Sequence, residues 1–264
     1  MSTGSVGGAQ PGGDSGVDAL AEALSIIDGA SERNIPLRLV GGLAVRVLCP
    51  NFPPRQREGQ DLDFASVSQA SKALTAYLEE RGYAPDRTFN ALYGRKQLFF
   101  RHTPSARALD VLVDRIEMCH ALNFRSRIER MPYTLDLADL LLSKLQIFEL
   151  NDKDAQDVAY LLSAYPIGES DEPGMIDARV LREILGDDWG WWRTVTINLS
   201  RIETLIESDA ERFVPATAQF DPIEQLRILQ QAASEAPKSF RWRMRARVGE
   251  RVRWYQIPEE TEHH

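Results

Sequence analysis

Two aspartates separated by one residue, Asp61 and Asp63, are the first candidates for chemistry in the sequence. Residues 61–65 are short and bounded by polar residues, which predicts a strand, and a strand places residues i and i+2 on one face. Two carboxylates held that close repel each other unless a cation lies between them, and Mg²⁺ prefers such oxygen ligands. The pair therefore indicates a metal site; the alternative is a solvated strand face.

A glycine pair, Gly41 and Gly42, lies between a predicted strand and a predicted helix at residues 43–48. Glycine allows close approach of a ligand to the backbone, and the first N–H groups of a helix can bind phosphate. The pair indicates a phosphate-binding turn; the alternative is a tight turn with no ligand. Arg55 and Arg57, on the loop before the aspartates, are further candidates for phosphate contact.

A third acid, Asp110, interrupts an otherwise apolar run that predicts a strand at residues 108–113. An unpaired carboxylate on a buried strand is costly, so Asp110 needs a cation or a hydrogen-bond donor. Asp114 lies on the same face but at the strand end, where solvation costs little. We therefore select Asp110 as the third ligand.

The remaining elements follow from the spacing of apolar residues and from turn residues. Besides the segments above, we predict strands at residues 37–40, 88–92, 97–101 and 124–130, and helices at residues 17–30, 66–81, 134–148, 152–160, 178–185, 191–206 and 222–233. The predicted fold class is α/β (α+β): a mixed β-sheet core with flanking helices and a C-terminal helical region.

Three regions follow along the chain. Residues 1–16 are rich in glycine and polar residues, which cannot bury enough surface to offset their ordering entropy, and they predict a disordered tail. Residues 17–135 form the predicted α/β core. Residues 136–264 form the predicted helical region.

The composition excludes several classes of protein. No apolar run in the 264 residues approaches the roughly 20 needed to cross a bilayer. The cysteines Cys49 and Cys119 have no short-spaced partner of the kind that zinc sites and disulfide frameworks use. A net charge of −8 disfavours nonspecific binding to nucleic acid over the whole surface. We predict a cytoplasmic protein without a membrane partner.

The order of the motifs resembles that of the DNA polymerase β-like nucleotidyltransferase superfamily: the glycine pair Gly41 and Gly42, the acids Asp61 and Asp63, then Asp110. The resemblance implies a nucleotidyltransferase core in which the three acids are catalytic and hold Mg²⁺, or Mn²⁺ in its place. It also implies that the glycine pair binds the nucleotide.

Residues 140–145 and 152–157 look like the lysine helix and the Lys-Asp helix of AbiEii-type toxin nucleotidyltransferases. This resemblance implies that Lys144 contacts nucleotide phosphates and that Asp154 and Asp157 organise the second side of the nucleotide site. It thereby implies that residues 136–164 complete the active site. The alternatives are structural: a lysine on an amphipathic helix extends its amine to solvent, and acids in a first turn stabilise a helix through its dipole.

The implied activity is transfer of a nucleotide from ATP or another NTP to a hydroxyl of RNA, of a protein or of a small molecule, with pyrophosphate as the leaving group. The same resemblance implies a toxin-type enzyme with an antitoxin protein as partner. The alternative is a noncatalytic nucleotidyltransferase-like binding module, and a metal-dependent hydrolase is a third reading.

The C-terminal half carries aromatic residues that the motifs do not use. We expect a cluster of three tryptophans to pack in the core or between domains: Trp189, Trp191 and Trp192. The alternative is a platform on which nucleobases stack. Residues 238–254 combine repeated arginine with aromatic residues, which is typical of nucleic-acid contacts and equally of a surface helix that docks a partner. RNA therefore stays open as the acceptor.

Overall fold

A mixed five-stranded β-sheet forms the centre of the N-terminal half. The computed structural model describes residues 18–53 and 61–257 of the protein. The strands are β1 (Leu37–Leu39), β2 (Leu62–Ser66), β3 (Tyr83–Pro85), β4 (Gln97–His102) and β5 (Ala108–Val113), in the spatial order β1-β2-β5-β4-β3. β2 and β5 are parallel, and the other neighbours are antiparallel. The predicted fold class, a mixed sheet with flanking helices and a helical C-terminal region, is confirmed.

Helices surround the sheet and make up most of the C-terminal half. In the N-terminal half they are α1 (Ala19–Ser31), α2 (Gly41–Leu48), α3 (Ser71–Glu80) and α4 (Arg87–Tyr93). A hairpin of β6 (Arg115–Glu117) and β7 (Ala121–Asn123) follows the sheet. The C-terminal half contains α5 (Leu137–Leu145), α6 (Asp152–Ala164), the paired strands β8 (Ile167–Gly168) and β9 (Ile176–Asp177), then α7 (Ala178–Asp187), α8 (Trp189–Ser208), α9 (Ala210–Phe213), α10 (Pro222–Glu235) and α11 (Phe240–Val248).

Side-chain caps fix where several of these helices begin. The Asp136 carboxylate accepts a hydrogen bond from the Ala138 N–H at the start of α5, and Asn151 accepts one from the Asp154 N–H at the start of α6, each at 2.9 Å. The first N–H groups of a helix have no partner within it, so such acceptors set its first turn. The caps thereby fix the phase of α5 and α6, and with it the faces that Lys144 and Asp157 occupy.

The side chains of β5 alternate between the hydrophobic core and the opposite face of the sheet. Leu109, Val111 and Val113 are buried on one face, whereas Asp110 and Leu112 lie on the other face and are half-buried. The hydrophobic core continues without a break from the first helix to Ala233, so it spans the predicted boundary at residue 135. The division into an α/β core and a helical region stays a prediction. In the described ranges we find no helix with the length and apolar character of a membrane span.

Two predicted strands are wrong. Residues 88–92 lie in α4, because the Asp86 carboxylate accepts a hydrogen bond from the Phe89 N–H at 2.8 Å and starts a helix there. Residues 124–130 form a 3₁₀ turn and bends, because the Arg127 guanidinium is drawn to the buried Asp139 carboxylate on α5. In both segments a polar side-chain contact, which the apolar pattern does not show, determines the backbone conformation.

Some predictions fall outside the described residues. These are the tail at residues 1–16 and the loop arginines Arg55 and Arg57.

Candidate active site

The parallel pairing of β2 with β5 brings two of the predicted acids together. Asp63 is the direct register partner of Asp110, so both side chains lie on the same face of neighbouring strands, about 4.8 Å apart at the backbone. Asp61 comes just before β2 and is exposed. Its charge still acts on the Asp63 carboxylate, which places all three acids in one negative cluster.

The protonation of Asp63 shows the electrostatics of this cluster. Burial among protein atoms, then the like charges of Asp110 and Asp61, raise the pKa of Asp63 to about 7, and Lys144 lowers it. Solvent nevertheless reaches the Asp63 side chain, so the carboxylate does not lie in a closed core. An oxygen-rich, mutually repelling cluster that is open to solvent suits a hard divalent cation.

The predicted three-acid metal set remains a prediction. Among residues 18–53 and 61–257, no group of three or more His, Cys, Asp or Glu side chains has a geometry that could hold a metal ion. The fold itself pairs Asp63 with Asp110, while Asp61 stands outside the strand. The residue types fit Mg²⁺.

Gly41 lies directly against the Asp63 carboxylate. Its φ is +67°, and a Cβ atom at this position would lie 3.2 Å from Oδ2 of Asp63. A left-handed backbone next to a crowded carboxylate favours glycine on both counts. A hydrogen bond of 3.0 Å, donated by the Val40 N–H to the Asp63 C=O, holds the two segments together.

Helix α2 begins at Gly41, so its first N–H groups are at the carboxylate cluster. Its N-cap residue, Val40, has no side chain that accepts from these groups. Uncapped N–H groups and the positive end of the helix dipole attract anions. The turn predicted from Gly41 and Gly42 therefore lies beside the Asp63 carboxylate.

Lys144 forms a buried ion triad with two aspartates of α6. Its Nζ lies 2.5 Å from Oδ1 of Asp154 and 3.1 Å from Oδ2 of Asp157, and the Asp157 side chain is only 1% exposed. Burial disfavours the charged amine, but the carboxylates of Asp157 and Asp154 outweigh it and raise the pKa of Lys144. A phosphate ligand would have to share this lysine with two carboxylates.

Asp154 has a second, structural task. The Asn151 side chain accepts from the Asp154 N–H, and its amide donates to Oδ2 of Asp154 at 2.8 Å. Asn151 thus caps the helix, and its side-chain amide also holds the Asp154 carboxylate. The helix-stabilising alternative for Asp154 is therefore present in the structure, together with its ion pair to Lys144.

Gln97 joins the site and was missed in the sequence. Its amide donates a hydrogen bond to Oδ1 of Asp110 at 2.5 Å across the antiparallel pair of β4 and β5. A polar residue at the start of an apolar strand was the signal that the sequence offered, but the residue that it contacts depends on how the strands are aligned.

Asp114, the acid that the sequence favoured less than Asp110, accepts a hydrogen bond from the Ser68 N–H at 3.0 Å and stabilises a turn.

The tryptophan cluster packs inside the protein. Trp189 and Trp191 are buried, which confirms the predicted packing in the core for these two, and Trp192 is half-buried. Trp191 lies 5.0 Å from the ring of His120, and burial lowers the pKa of that histidine to about 4. The two buried tryptophans are therefore not accessible to a stacking nucleobase.

Comparison with known proteins returns solved structures alone: no family model and no curated protein matches the chain. ANT(2")-Ia in complex with adenylyl-2"-tobramycin is 14% identical over 55% of this chain and 88% of that chain, with a TM-score of 0.38. The lincomycin-bound lincosamide antibiotic adenylyltransferase LnuA is 20% identical over 54% and 96%, with a TM-score of 0.39. An antigenic nucleotidyltransferase-like protein from Paracoccidioides brasiliensis is 11% identical over 84% and 94%, with a TM-score of 0.41.

Proposed function

We propose that this protein is a Mg²⁺-dependent nucleotidyltransferase that moves a nucleotide from an NTP to an acceptor hydroxyl. The observation that carries the proposal is the contact of Gly41, at the uncapped start of α2, with Asp63, which is in register with Asp110. A phosphate-binding helix start beside paired carboxylates combines the two groups that metal-assisted phosphoryl transfer needs.

The residues divide the work as follows. Asp61, Asp63 and Asp110 would hold Mg²⁺, or Mn²⁺ in its place, and the bound ion would offset negative charge on the triphosphate. The N–H groups of Gly41 and Gly42 would bind its phosphate oxygens.

Asp110 is the proposed proton acceptor. Its carboxylate would take the proton of the acceptor hydroxyl while that oxygen bonds to the α-phosphorus and the bond to pyrophosphate breaks. Gln97 would keep the carboxylate in place through its hydrogen bond to Oδ1.

Lys144, Asp154 and Asp157 form the second side of the proposed nucleotide site. Lys144 lowers the pKa of Asp63, so its charge reaches the carboxylate cluster. We propose that the triad positions this positive charge beside the bound nucleotide.

A second candidate, a noncatalytic nucleotide-binding module, is favoured by one observation. Lys144 is already matched by two carboxylates, which leaves less positive charge for a triphosphate than an isolated lysine would offer. Such a module would bind a nucleotide and transfer nothing.

Nucleotide titration tests the site. Isothermal titration with each Mg²⁺–NTP should show binding to the wild type, weakening of at least about tenfold in Asp63→Ala, and no change in Glu79→Ala, an exposed acid on α3. Absence of binding to the wild type for every NTP would overturn both candidates.

A transfer assay then separates the two candidates. Labelled NTPs are incubated with total tRNA, with the protein itself, and with small hydroxyl compounds that include an aminoglycoside and a lincosamide. Label transfer by the wild type that Asp63→Ala loses supports the transferase, and the labelled product names the acceptor. Nucleotide binding without transfer to any acceptor supports the module.

A toxin-type role with an antitoxin protein as partner, in the cytoplasm, is a further part of the proposal. It rests on the resemblance of the Lys144 and Asp154 helices to AbiEii-type toxins. Induced expression in a bacterial host tests it: growth arrest by the wild type but not by Asp63→Ala supports the role. Normal growth with both argues against it.

A further inference from the structure

The C-terminal helix α11 exposes an apolar stripe that nothing in the site explains. Phe240, Met244 and Val248 follow at intervals of four residues, so they share one face, and they are 73%, 44% and 40% exposed. No residue of α11 is buried. Val252 and Ile257 continue the exposed apolar residues beyond the helix. Exposed apolar residues that share one helix face are typical of an interaction site.

Arginines border the stripe on both sides. With about 100° of rotation per residue, Arg241 lies on one flank of the stripe, and Arg243 and Arg247 lie on the other. Residues 240–253 contain six arginines and one glutamate, in a chain whose net charge is −8. The surface around α11 is therefore positive on an acidic protein, which favours a negatively charged partner.

Few of these arginines are matched within the protein. Arg241 lies near Asp187 and Asp188, at 3.9 and 3.4 Å, on the surface. Within residues 18–53 and 61–257, neither Arg243 nor Arg247 forms an ion pair with a carboxylate. Their charges are available to a partner.

Apart from Phe240, the aromatic residues near α11 pack against the rest of the protein, which argues against a nucleic acid. Trp242 packs edge-on against Trp192 at 5.3 Å. Tyr255 stacks on Phe148 at 4.0 Å. Single-stranded nucleic acids bind by stacking bases on exposed rings, but the stripe offers one ring, Phe240, beside methionine and valine. Aliphatic side chains at four-residue spacing instead match the anchors of a helix.

A second copy of this chain fits the surface poorly. Two α11 helices packed along their stripes would bring the arginine flanks of both copies together, and like charges at short range are unfavourable. The partner must carry the opposite charge.

We propose that the outer face of α11 docks an acidic amphipathic helix of a partner protein. The partner's apolar side chains would pack on Phe240, Met244 and Val248, and its carboxylates would pair with Arg243 and Arg247. This inference is independent of the proposed transferase activity, because α11 contains none of the site residues.

Fluorescence anisotropy with the full-length protein tests the proposal. The probe is a short labelled peptide of leucine and glutamate, with leucines along one helical face. The comparison peptide has the same composition with its leucines spread around the helix. The patterned peptide should bind about tenfold or more tightly than the comparison peptide.

Two pairs of variants separate the contributions. Phe240→Ser with Met244→Ser should weaken binding of the patterned peptide about tenfold, and so should Arg243→Glu with Arg247→Glu. The controls Ile228→Ser on α10 and Arg201→Glu on α8, also exposed, should bind as the wild type does. Thermal unfolding of each variant checks that the fold is intact.

Other outcomes overturn the proposal. Equal binding of both peptides would mean that charge alone acts at this surface. Tighter binding of poly-uridine RNA or of anionic phospholipid vesicles, lost in the same two variants, would assign the surface to that partner instead. Failure of the patterned peptide to bind the wild type would also exclude the acidic helix.

Discussion

Two charged clusters at the proposed nucleotide site are built in opposite ways. In the carboxylate cluster, Asp63 and Asp110 bring like charges into register on neighbouring strands. In the triad of Lys144, Asp154 and Asp157, opposite charges alternate and bind one another at hydrogen-bond distance. The lysine offsets one of the two negative charges of the triad, whereas the like charges of Asp63 and Asp110 repel each other until a cation binds. The difference supports the proposal that the carboxylate cluster binds a cation.

Removing the lysine should have the largest effect on stability. Lys144→Met would leave the carboxylates of Asp154 and Asp157 close together without a cation, and we expect it to lower the free energy of unfolding by about 3 kcal/mol. Chemical denaturation measures this, with Lys72→Met, an exposed lysine on α3, as the control. A loss no larger than that of the control would show that the triad contributes little.

A methyl group at Gly41 should damage both the backbone and the site. Gly41→Ala places a side chain at a φ of +67°, which costs about 1 kcal/mol or more, and crowds the Asp63 carboxylate. Gly174→Ala is the matched control, because its φ is +91° and its Cβ would meet open space. Both variants should lose similar stability, but only Gly41→Ala should weaken Mg²⁺–NTP binding in calorimetry. Equal nucleotide affinity in the two would remove Gly41 from the site.

Removing a charge from the carboxylate cluster should produce the smallest change, with the opposite sign. In the presence of a chelator, Asp63→Asn relieves the repulsion with Asp110 and should raise the free energy of unfolding by about 0.5 kcal/mol, since solvent screens much of it.

With added Mg²⁺ and NTP, the wild type should become more stable than Asp63→Asn. Both ligands bind the folded state, so they should stabilise the wild type more than the variant. Differential scanning fluorimetry with and without the ligands measures both changes. A variant that is less stable than the wild type in chelator would contradict the repulsion.

Local periodicity in the sequence predicted which strand face a candidate residue occupies. It did not predict which residues face each other across neighbouring strands. Alternation placed Asp110 on a strand face opposite its apolar neighbours, and the glycines before α2 indicated a backbone that needs no Cβ. By contrast, the hydrogen bond of Gln97 to Asp110 depends on which residue faces which across β4 and β5. Register is a property of the whole sheet, so no local pattern contains it.

The wrong strands have the same kind of cause. Residues 88–92 look strand-like until the Asp86 cap is recognised, and residues 124–130 until Arg127 is paired with Asp139 across the chain. Lys144, Asp154 and Asp157 were all named from the sequence, but the ion pairs that join them depend on how α5 packs against α6. The Asp86 cap lies three residues from its partner and Arg127 lies twelve residues from Asp139, so in both segments a polar side-chain contact overrides the apolar pattern.

The position of β5 between β2 and β4 has a consequence for motion. A strand that is hydrogen-bonded along both edges exposes its amides to exchange with solvent only when the sheet itself opens. The backbone beneath Asp63 and Asp110 should therefore be among the slowest to exchange hydrogen for deuterium, while the short helix α4 and the start of α2 open more readily. The spacing of the two carboxylates is thus set by the most persistent part of the molecule, and adjustment to a substrate falls to the helices around it.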